Sequence, residues 1–198
     1  ESLFPLQLQQ FIEKEYEMLF LGCALDGGKM VYAPVGHRKI RHYPTVYGIG
    51  SYSESFFTDE DVKVKNLVNK AQCFMQKINY TGLFSVEFVY SKGQYYYLET
   101  NLRNDGTSIL STMCGYNLLD MLCKYFTSES IELSKVQYVP RHYMHFVCDS
   151  HHIFRGNVSV CTWLKQLCGA GVYPYFYSRD MKPTIYYFFD LIYHKFER

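Results

Sequence analysis

Runs of apolar residues separated by turn signals predict strands in the first part of the chain. Residues 6–11, 16–25 and 29–35 are rich in leucine, valine, tyrosine and phenylalanine, which favour strands. Asp26-Gly27-Gly28, between the second and third runs, is a typical hairpin turn. Residues 36–55 are rich in glycine, tyrosine and basic residues. A connection of about twenty residues is usually either functional or mobile, so we predict a long loop of one of these two kinds there.

A helical period begins after Thr58 and runs to about Ile78. Thr58 is a typical N-cap, and the three acidic residues after it suit the positive end of a helix dipole. Further along, the pattern predicts two short helices, one over 107–114 and one from the cap Asn117 to about residue 126. A strand is predicted over 138–147. Two more helices are predicted, one over 157–167 and one from Pro183 to about residue 196.

Two predicted strands, residues 83–90 and 94–101, are joined by a tight turn at Lys92-Gly93. Side chains alternate along a strand, so Glu99, Asn101 and Arg103 belong to one face. Hairpin pairing brings Glu87 beside them. Carboxylate and amide oxygens are ligands that Mg²⁺ prefers, and an arginine recognises anionic groups. The spacing therefore predicts a magnesium site with Glu87, Glu99 and Asn101 as ligands.

Simpler interpretations exist for the same residues. Glu87, Glu99 and Asn101 would also suit a solvated, salt-bridged hairpin face. Arg103 would suit an ion pair with a nearby carboxylate. The basic residues of the predicted loop, Arg38, Lys39 and Arg41, would suit a solvated loop as well as a phosphate-binding one. The alternation of Glu99, Asn101 and Arg103 along one strand, with Glu87 beside them, favours the metal site for the first group. The role of the basic residues in the predicted loop is left open.

Composition excludes several classes of protein. The formal net charge of the 198-residue chain is +1, so nothing indicates affinity for nucleic acid. The seven cysteines are irregularly spaced, which favours a reduced, cytoplasmic protein over a disulfide framework. The histidines lack an obvious tetrahedral zinc set. No apolar run reaches the length of about 18 residues needed to span a bilayer.

The hairpin and the segments around it resemble a known family. A strand bearing Val-Glu-Phe, a glycine turn, a strand ending Leu-Glu-Thr-Asn-x-Arg and a following Gly-x-Asn-Leu helix are similar to the C-terminal half of the ATP-grasp domain. Residues 8–12 resemble the hinge strand of that family, and Glu15-Tyr16-Glu17 resembles its next strand. The family includes carbamoyl phosphate synthetase, and within it the basic loop most resembles the D-aspartate-ligase-like group.

The resemblance implies a fold, an activity and roles for residues. The fold is α+β, an antiparallel sheet with helices on one face over residues 1–137, and a small α/β extension over 138–198 that ends in an amphipathic helix. The activity is ATP-dependent ligation of a carboxylate and an amine through an acylphosphate. ATP and Mg²⁺ or Mn²⁺ are the implied cofactors. The implied roles are catalysis by Arg103 and Arg38, metal binding by Glu87, Glu99 and Asn101, and nucleotide contacts by Gln9, Gln10, Ile12, Glu17, Lys39 and Arg41.

One departure from the family limits the expected activity. The lysines and the glycine-rich lid that grip the phosphates in complete members do not occur in these residues. We expect the N-terminal half of the same protein to be a required partner, and the chain alone to bind nucleotide weakly and not to turn over. An alternative from another class is a non-catalytic interaction or regulatory module on the same scaffold. The aromatic terminal helix would dock on its own protein or pair with a second copy; a membrane surface is the less favoured partner.

Overall fold

The computed structural model describes residues 8–131, 136–176 and 179–196. Within this part of the chain, seven strands form one sheet in the order β5-β4-β1-β2-β3-β6-β7. All neighbouring strands are antiparallel except β6 and β7. The strands are β1 Tyr16–Leu25, β2 Met30–Tyr43, β3 Ile49–Phe57, β4 Gly82–Ser91, β5 Gln94–Asn101, β6 His142–Met144 and β7 Gly171–Val172.

Helices occupy the segments between and after the strands. They are α1 Val62–Lys77, α2 Ile109–Met113, α3 Leu118–Phe126, α4 Phe146–Phe154, α5 Val160–Ala170 and α6 Lys182–Phe196. A single 3₁₀ turn, Thr58–Glu60, precedes α1. The predicted α+β class with an antiparallel sheet is therefore confirmed.

Strand β1 is the centre of the core because it is buried on both faces. One set of alternating side chains, including Met18 and Phe20, packs with residues of α1 such as Met75. The other set, including Leu19 and Leu21, packs with residues of α3. A strand covered on both sides is apolar almost throughout, which is why β1 gives the strongest apolar run. The helices consequently lie on both faces, and not on the single face that was predicted.

The predicted loop over residues 36–55 is wrong. Most of it forms the long antiparallel pair β2 and β3, with a short connection at residues 44–48. The loop prediction failed because the basic side chains of β2 pair with carboxylates of the folded protein; those of Lys39 and Arg41 are largely enclosed, and that of Arg38 is exposed. Arg38 pairs with Glu54, Lys39 with Glu17 and Glu87, and Arg41 with Asp149. Since each charge finds a partner in the folded protein, a polar segment can be an ordinary strand.

Several element boundaries also differ. Helix α1 begins at Val62, and its N-cap is Asp61, which accepts from the backbone N–H of Lys63 at 2.7 Å. Thr58 instead donates its hydroxyl to the carbonyl of Ala33. The strand predicted over 6–11 is not observed at residues 8–11, which lack regular structure, and residues 6 and 7 lie outside the described part. The strand predicted over 138–147 is reduced to β6, and α4 follows it.

The C-terminal residues attach to the same sheet. Strand β6 pairs with β3, and α4 and α5 follow on either side of a short turn. The apolar stripe predicted for the terminal helix consists of Ile185, Phe188, Phe189, Ile192 and Phe196. Its described side chains are largely exposed in α6, with Ile185 at 50% and Phe189 at 65% exposure. Ring contacts of Tyr187 with His145 and of Phe188 with Phe146 attach α6. The side chains of residues 192 and 196 lie outside the described part. The domain division at residue 137 stays a prediction.

None of the helices in the described segments combines the length and the apolar character that crossing a membrane requires.

Candidate functional site

The hairpin β4–β5 brings together the residues that its sequence pattern predicted. Glu87 lies directly opposite Glu99, and Asn101 lies opposite Ser85. Lys92 and Gly93 at the turn both have positive φ, of 48° and 78°, as expected for a two-residue hairpin turn. Directly opposed residues have Cβ atoms about 5 Å apart on one face. The structure therefore places two carboxylates side by side.

The two carboxylates differ in their contacts. Glu99 accepts a hydrogen bond of 2.9 Å from the Asn101 amide and is exposed. Glu87 is more enclosed, and its Oε2 accepts from the Lys39 ammonium at 2.8 Å. Arg103 is exposed beyond the end of β5 and donates to the carbonyl oxygen of Asn104 at 3.1 Å. Glu99 and Asn101 thus contact each other, and the backbone register places Glu87 opposite Glu99, whereas the described side-chain contact of Glu87 is with Lys39. The convergence of all three side chains on one ion stays a prediction.

Lys39 lies at the centre of the charges on this face. Glu17 on β1 stands opposite Lys39 on β2, and Glu87 lies on β4 at the other side of β1. The lysine reaches across β1, so that its Nζ is 3.2 Å from Glu17 Oε2 and 2.8 Å from Glu87 Oε2. Burial alone would lower the pKa of Lys39, but the two carboxylates outweigh it, and the net pKa is raised. Lys39 therefore keeps its positive charge in the site.

Glu17 is the second carboxylate of this cluster and is almost fully buried. Besides Lys39, it contacts Lys14 Nζ at 2.5 Å and His42 Nε2 at 3.3 Å. Burial alone would raise its pKa, but the hydrogen bonds from His42 and Lys14 and the charge of Lys39 lower the pKa to about 2. Glu17 is thus an ionised carboxylate that holds three basic side chains around the beginning of β1.

The low pKa of Glu17 predicts acid-sensitive stability. The folded-state pKa, about 2, lies below the ordinary value of 4.5, so the contribution of Glu17 is fully present above pH 4.5 and is lost as the pH falls towards 2. The full contribution corresponds to about 3 kcal/mol. Denaturant unfolding of wild-type protein and Glu17→Gln at pH 3 to 6 should show a stability difference that shrinks with acidification. A constant difference over that range would contradict this account.

The two arginines of the predicted basic loop lie in other ion pairs. Arg38 Nη1 is 3.1 Å from Glu54 Oε1, and its guanidinium lies 4.9 Å from the centre of the Tyr16 ring. Arg41 makes a bidentate pair with the fully buried Asp149, with Nη2 at 2.6 Å from Oδ2. Only Lys39, of the three basic residues, reaches the Glu17–Glu87 cluster in the described contacts.

The segment before β1 lies beside the turn between β2 and β3. Gln9 and Gln10 are exposed and Ile12 is half-buried. Phe11 makes an edge contact with Tyr47, with ring centroids 6.0 Å apart, and Lys14 donates to the carbonyl oxygen of Val46. These contacts place the segment predicted to border a nucleotide at the end of β1 that carries Glu17.

Two members of the cluster were missed by the sequence reasoning. Lys14 lies between residues 8–12 and Glu15, and His42 is one of the histidines that lack a tetrahedral zinc set, so neither was assigned to this site. Lys14 contacts Glu17 from three positions earlier in the chain. His42 reaches Glu17 because β1 and β2 are paired with Glu17 opposite Lys39, and no local pattern signals that contact. The one available signal was the clustering of basic residues before and after a predicted strand that bears a glutamate.

The donor set suits a hard divalent cation and an anionic ligand. Glu87, Glu99 and Asn101 supply carboxylate and amide oxygens from adjacent strands, which is the chemistry that Mg²⁺ and Mn²⁺ accept. The described residues contain no group of three or more His, Cys, Asp or Glu side chains placed to hold a metal. A metal here would therefore rest on two carboxylates, an amide oxygen and ligands from outside the chain, as is common for Mg²⁺ bound with phosphates.

Known proteins are similar to this chain in part of its sequence and in its fold. Residues 57–146 match the sequence model of a family described as an ATP-grasp in the biosynthetic pathway with the Ter operon. Solved structures of ATP-grasp enzymes share the fold. N5-carboxyaminoimidazole ribonucleotide synthetase from Thermus thermophilus matches with a TM-score of 0.54 at 14% identity, over 67% of this chain. The sequence of residues 57–146 is therefore similar to an ATP-grasp family, and the described part of the chain has the fold of ATP-grasp enzymes.

Two further ATP-grasp structures support the assignment of the fold. Biotin carboxylase from Campylobacter jejuni, in a β,γ-ATP complex, has a TM-score of 0.54 at 15% identity and covers 68% of this chain. N5-carboxyaminoimidazole synthetase from Staphylococcus aureus, complexed with ADP, has a TM-score of 0.52 at 15% identity over 68% of the chain. The chain spans 36%, 30% and 35% of these three proteins, respectively. No curated protein matches it in sequence.

Proposed function

We propose that this ATP-grasp chain forms the metal- and phosphate-binding half of a carboxylate–amine ligase. The observation that carries the proposal is the direct opposition of Glu87 and Glu99 on β4 and β5, with Asn101 hydrogen-bonded to Glu99. ATP and Mg²⁺ or Mn²⁺ are the proposed cofactors, and a small carboxylate and an amine are the proposed substrates. The ATP-grasp enzymes that share its fold support this class of reaction.

The proposed reaction relies mainly on positioning and charge. A substrate carboxylate attacks the γ-phosphate of ATP and forms an acylphosphate, and the amine then displaces the phosphate. Phosphoryl transfer of this kind needs neutralised charge more than covalent protein chemistry. A bound Mg²⁺ would supply part of that neutralisation. Glu87, Glu99 and Asn101 would hold the ion, and Arg103, exposed just beyond them, would steady the anionic intermediate.

The remaining predicted residues take roles that follow from their positions. Gln9, Gln10 and Ile12 would border the base and ribose, since their segment adjoins the charged end of β1. Lys39 would face the phosphates, and Glu17 would hold it there. Arg38 would reach the substrate only after leaving Glu54.

Arg41 has a different proposed role. Its guanidinium forms an ion pair with Asp149 and donates a hydrogen bond to Gln166. Arg41 would therefore keep β2 in place and would not contact the nucleotide.

Further protein groups are proposed to complete the site. Because the chain spans about a third of the ATP-grasp enzymes that share its fold, we propose that an N-terminal half of the same protein grips the phosphates. The chain alone is then expected to bind nucleotide weakly and to release no phosphate. A cytoplasmic setting is part of the proposal, and the seven cysteines, all thiols in the structure, agree with it.

Replacing Glu99 with glutamine tests the proposal directly. The substitution keeps the size of the side chain and removes a negative charge that a divalent cation needs. Mn²⁺ binding, followed by electron paramagnetic resonance with and without a non-hydrolysable ATP analogue, is expected to weaken at least about tenfold, which corresponds to about 1.4 kcal/mol. The same loss is expected for Glu87→Gln.

Glu60→Gln is the matched control, because Glu60 is an exposed glutamate in the turn before α1. It changes the net charge by the same amount and should leave Mn²⁺ binding unaltered. If Glu99→Gln bound Mn²⁺ as well as wild type did, the ligase proposal would fail. The non-catalytic scaffold would then be the better interpretation.

A further inference from the structure

Lys39 is a largely enclosed cation in the Glu17–Glu87 cluster, and it contacts a proposed metal ligand. Only 12% of its side chain is exposed. Its Nζ lies 2.8 Å from Glu87 Oε2 and 3.2 Å from Glu17 Oε2. Two carboxylates on different strands therefore share one ammonium group across β1. Such an arrangement neutralises Glu87 in the absence of any metal.

The same carboxylate cannot serve both cations fully. Mg²⁺ and Mn²⁺ require carboxylate oxygens within their own coordination sphere, and a lysine ammonium close to the same oxygens repels a divalent ion. Two like charges a few ångströms apart in a partly buried setting repel each other strongly enough to lower the affinity for the ion by about tenfold. An ion bound between Glu87 and Glu99 would therefore encounter Lys39 as a competitor.

Lys39 has a second carboxylate to which it can turn. Glu17 already contacts it, and Glu17 is itself held in place by Lys14 and His42. Losing the contact with Glu87 would therefore leave Lys39 paired and still in the site. Glu99 differs, since its contact here is with the neutral amide of Asn101, so it offers an ion a carboxylate that no lysine contacts among the described residues.

We propose that Lys39 is a built-in competitor for the metal site, which occupies Glu87 in the metal-free protein and moves to Glu17 alone when a divalent cation binds. The inference rests on the proposed function, because it takes Glu87 and Glu99 as the metal ligands. Its consequence is that the metal affinity of the free protein is held low. When the metal binds, the Lys39 ammonium loses its contact with Glu87. Its positive charge then favours the binding of an anionic ligand beside the metal.

Replacing Lys39 with methionine tests the competition. Methionine keeps an unbranched chain of similar length and removes the charge. Direct Mn²⁺ titration of the protein, followed by electron paramagnetic resonance, is expected to show about tenfold tighter binding than wild type. Lys70→Met is the matched control, because Lys70 is an exposed residue of α1, and α1 packs on the face of β1 opposite to Glu17. The control should bind Mn²⁺ as wild type does.

A second measurement uses the wild-type protein and does not depend on how well Lys39→Met folds. The ¹⁵N-detected ammonium signal of Lys39 should shift when Mg²⁺ is added. The signal is assigned by its loss in Lys39→Met, or in Lys39→Arg if Lys39→Met is unfolded. In Glu99→Gln the signal should remain at its metal-free position over the same Mg²⁺ range. An unmoved signal in wild type at a Mg²⁺ concentration that saturates the site would overturn the inference.

The outcomes separate this inference from the proposed function. If neither Glu87→Gln nor Glu99→Gln weakened Mn²⁺ binding, the metal site itself would be wrong, and the inference would fall with it. If both weakened it while Lys39→Met bound Mn²⁺ no more tightly than wild type, only the competition would be overturned. If Lys39→Met binds Mn²⁺ more tightly than wild type, and the double variant Lys39→Met/Glu99→Gln loses that gain, both the metal site and the competition are supported.

Discussion

Replacing Asp149 with alanine is expected to destabilise the protein by about 3–5 kcal/mol, because it leaves the largely buried Arg41 guanidinium without its carboxylate partner. Asp149 is fully buried on α4. It accepts from Nε and Nη2 of Arg41, from the Ser51 hydroxyl at 2.8 Å and from the Trp163 indole N–H at 2.9 Å. Removing it deprives three donors on three elements of their acceptor. Denaturant unfolding monitored by circular dichroism measures the loss.

Two comparisons make this prediction specific. Asp59→Ala removes an exposed partner of Lys65, and exposed pairs contribute little, so its effect should be about 0.5 kcal/mol or less. The double variant Arg41→Met/Asp149→Leu removes both charges and should lose less stability than the sum of the two single substitutions. If Asp149→Ala were no more destabilising than Asp59→Ala, the ion pair would not connect α4 to the sheet as described.

Replacing Phe20 with alanine is expected to cost about 3–5 kcal/mol through the cavity it leaves. Phe20 is fully buried at the centre of β1, and its ring centroid lies 5.7 Å from that of Phe88 on β4. It packs in the cluster that joins the sheet to α1. Neighbouring strands fix the backbone on both sides, so the cavity cannot collapse easily. The loss should appear as a lower midpoint in denaturant unfolding.

Phe154→Ala is the matched control for Phe20→Ala. Phe154 ends α4 and is 85% exposed, so the same deletion there removes little buried surface and should change stability by about 0.5 kcal/mol or less. A comparable loss in both variants would mean that the loss does not arise from the core around β1.

Elements with a strong local signal were predicted well. The hairpin β4–β5 has apolar strands and a lysine–glycine turn with positive φ at both positions, and α3 has the predicted cap at Asn117. Their conformation depends on residues a few positions apart, which a sequence displays directly. The predicted loop at residues 36–55 failed because its stabilisation is not local. The strands β2 and β3 depend on partners elsewhere in the chain.

The sequence alone determined that Glu99 and Asn101 share one face, because side chains alternate along a strand, and that Glu87 can join them through a tight turn. The tertiary structure alone decided which cations surround those carboxylates. Lys39 and Glu87 are 48 positions apart, and Arg41 and Asp149 are 108 apart. Such pairs form only when the order and register of strands are set by burial of β1 on both faces, and no local pattern encodes that choice.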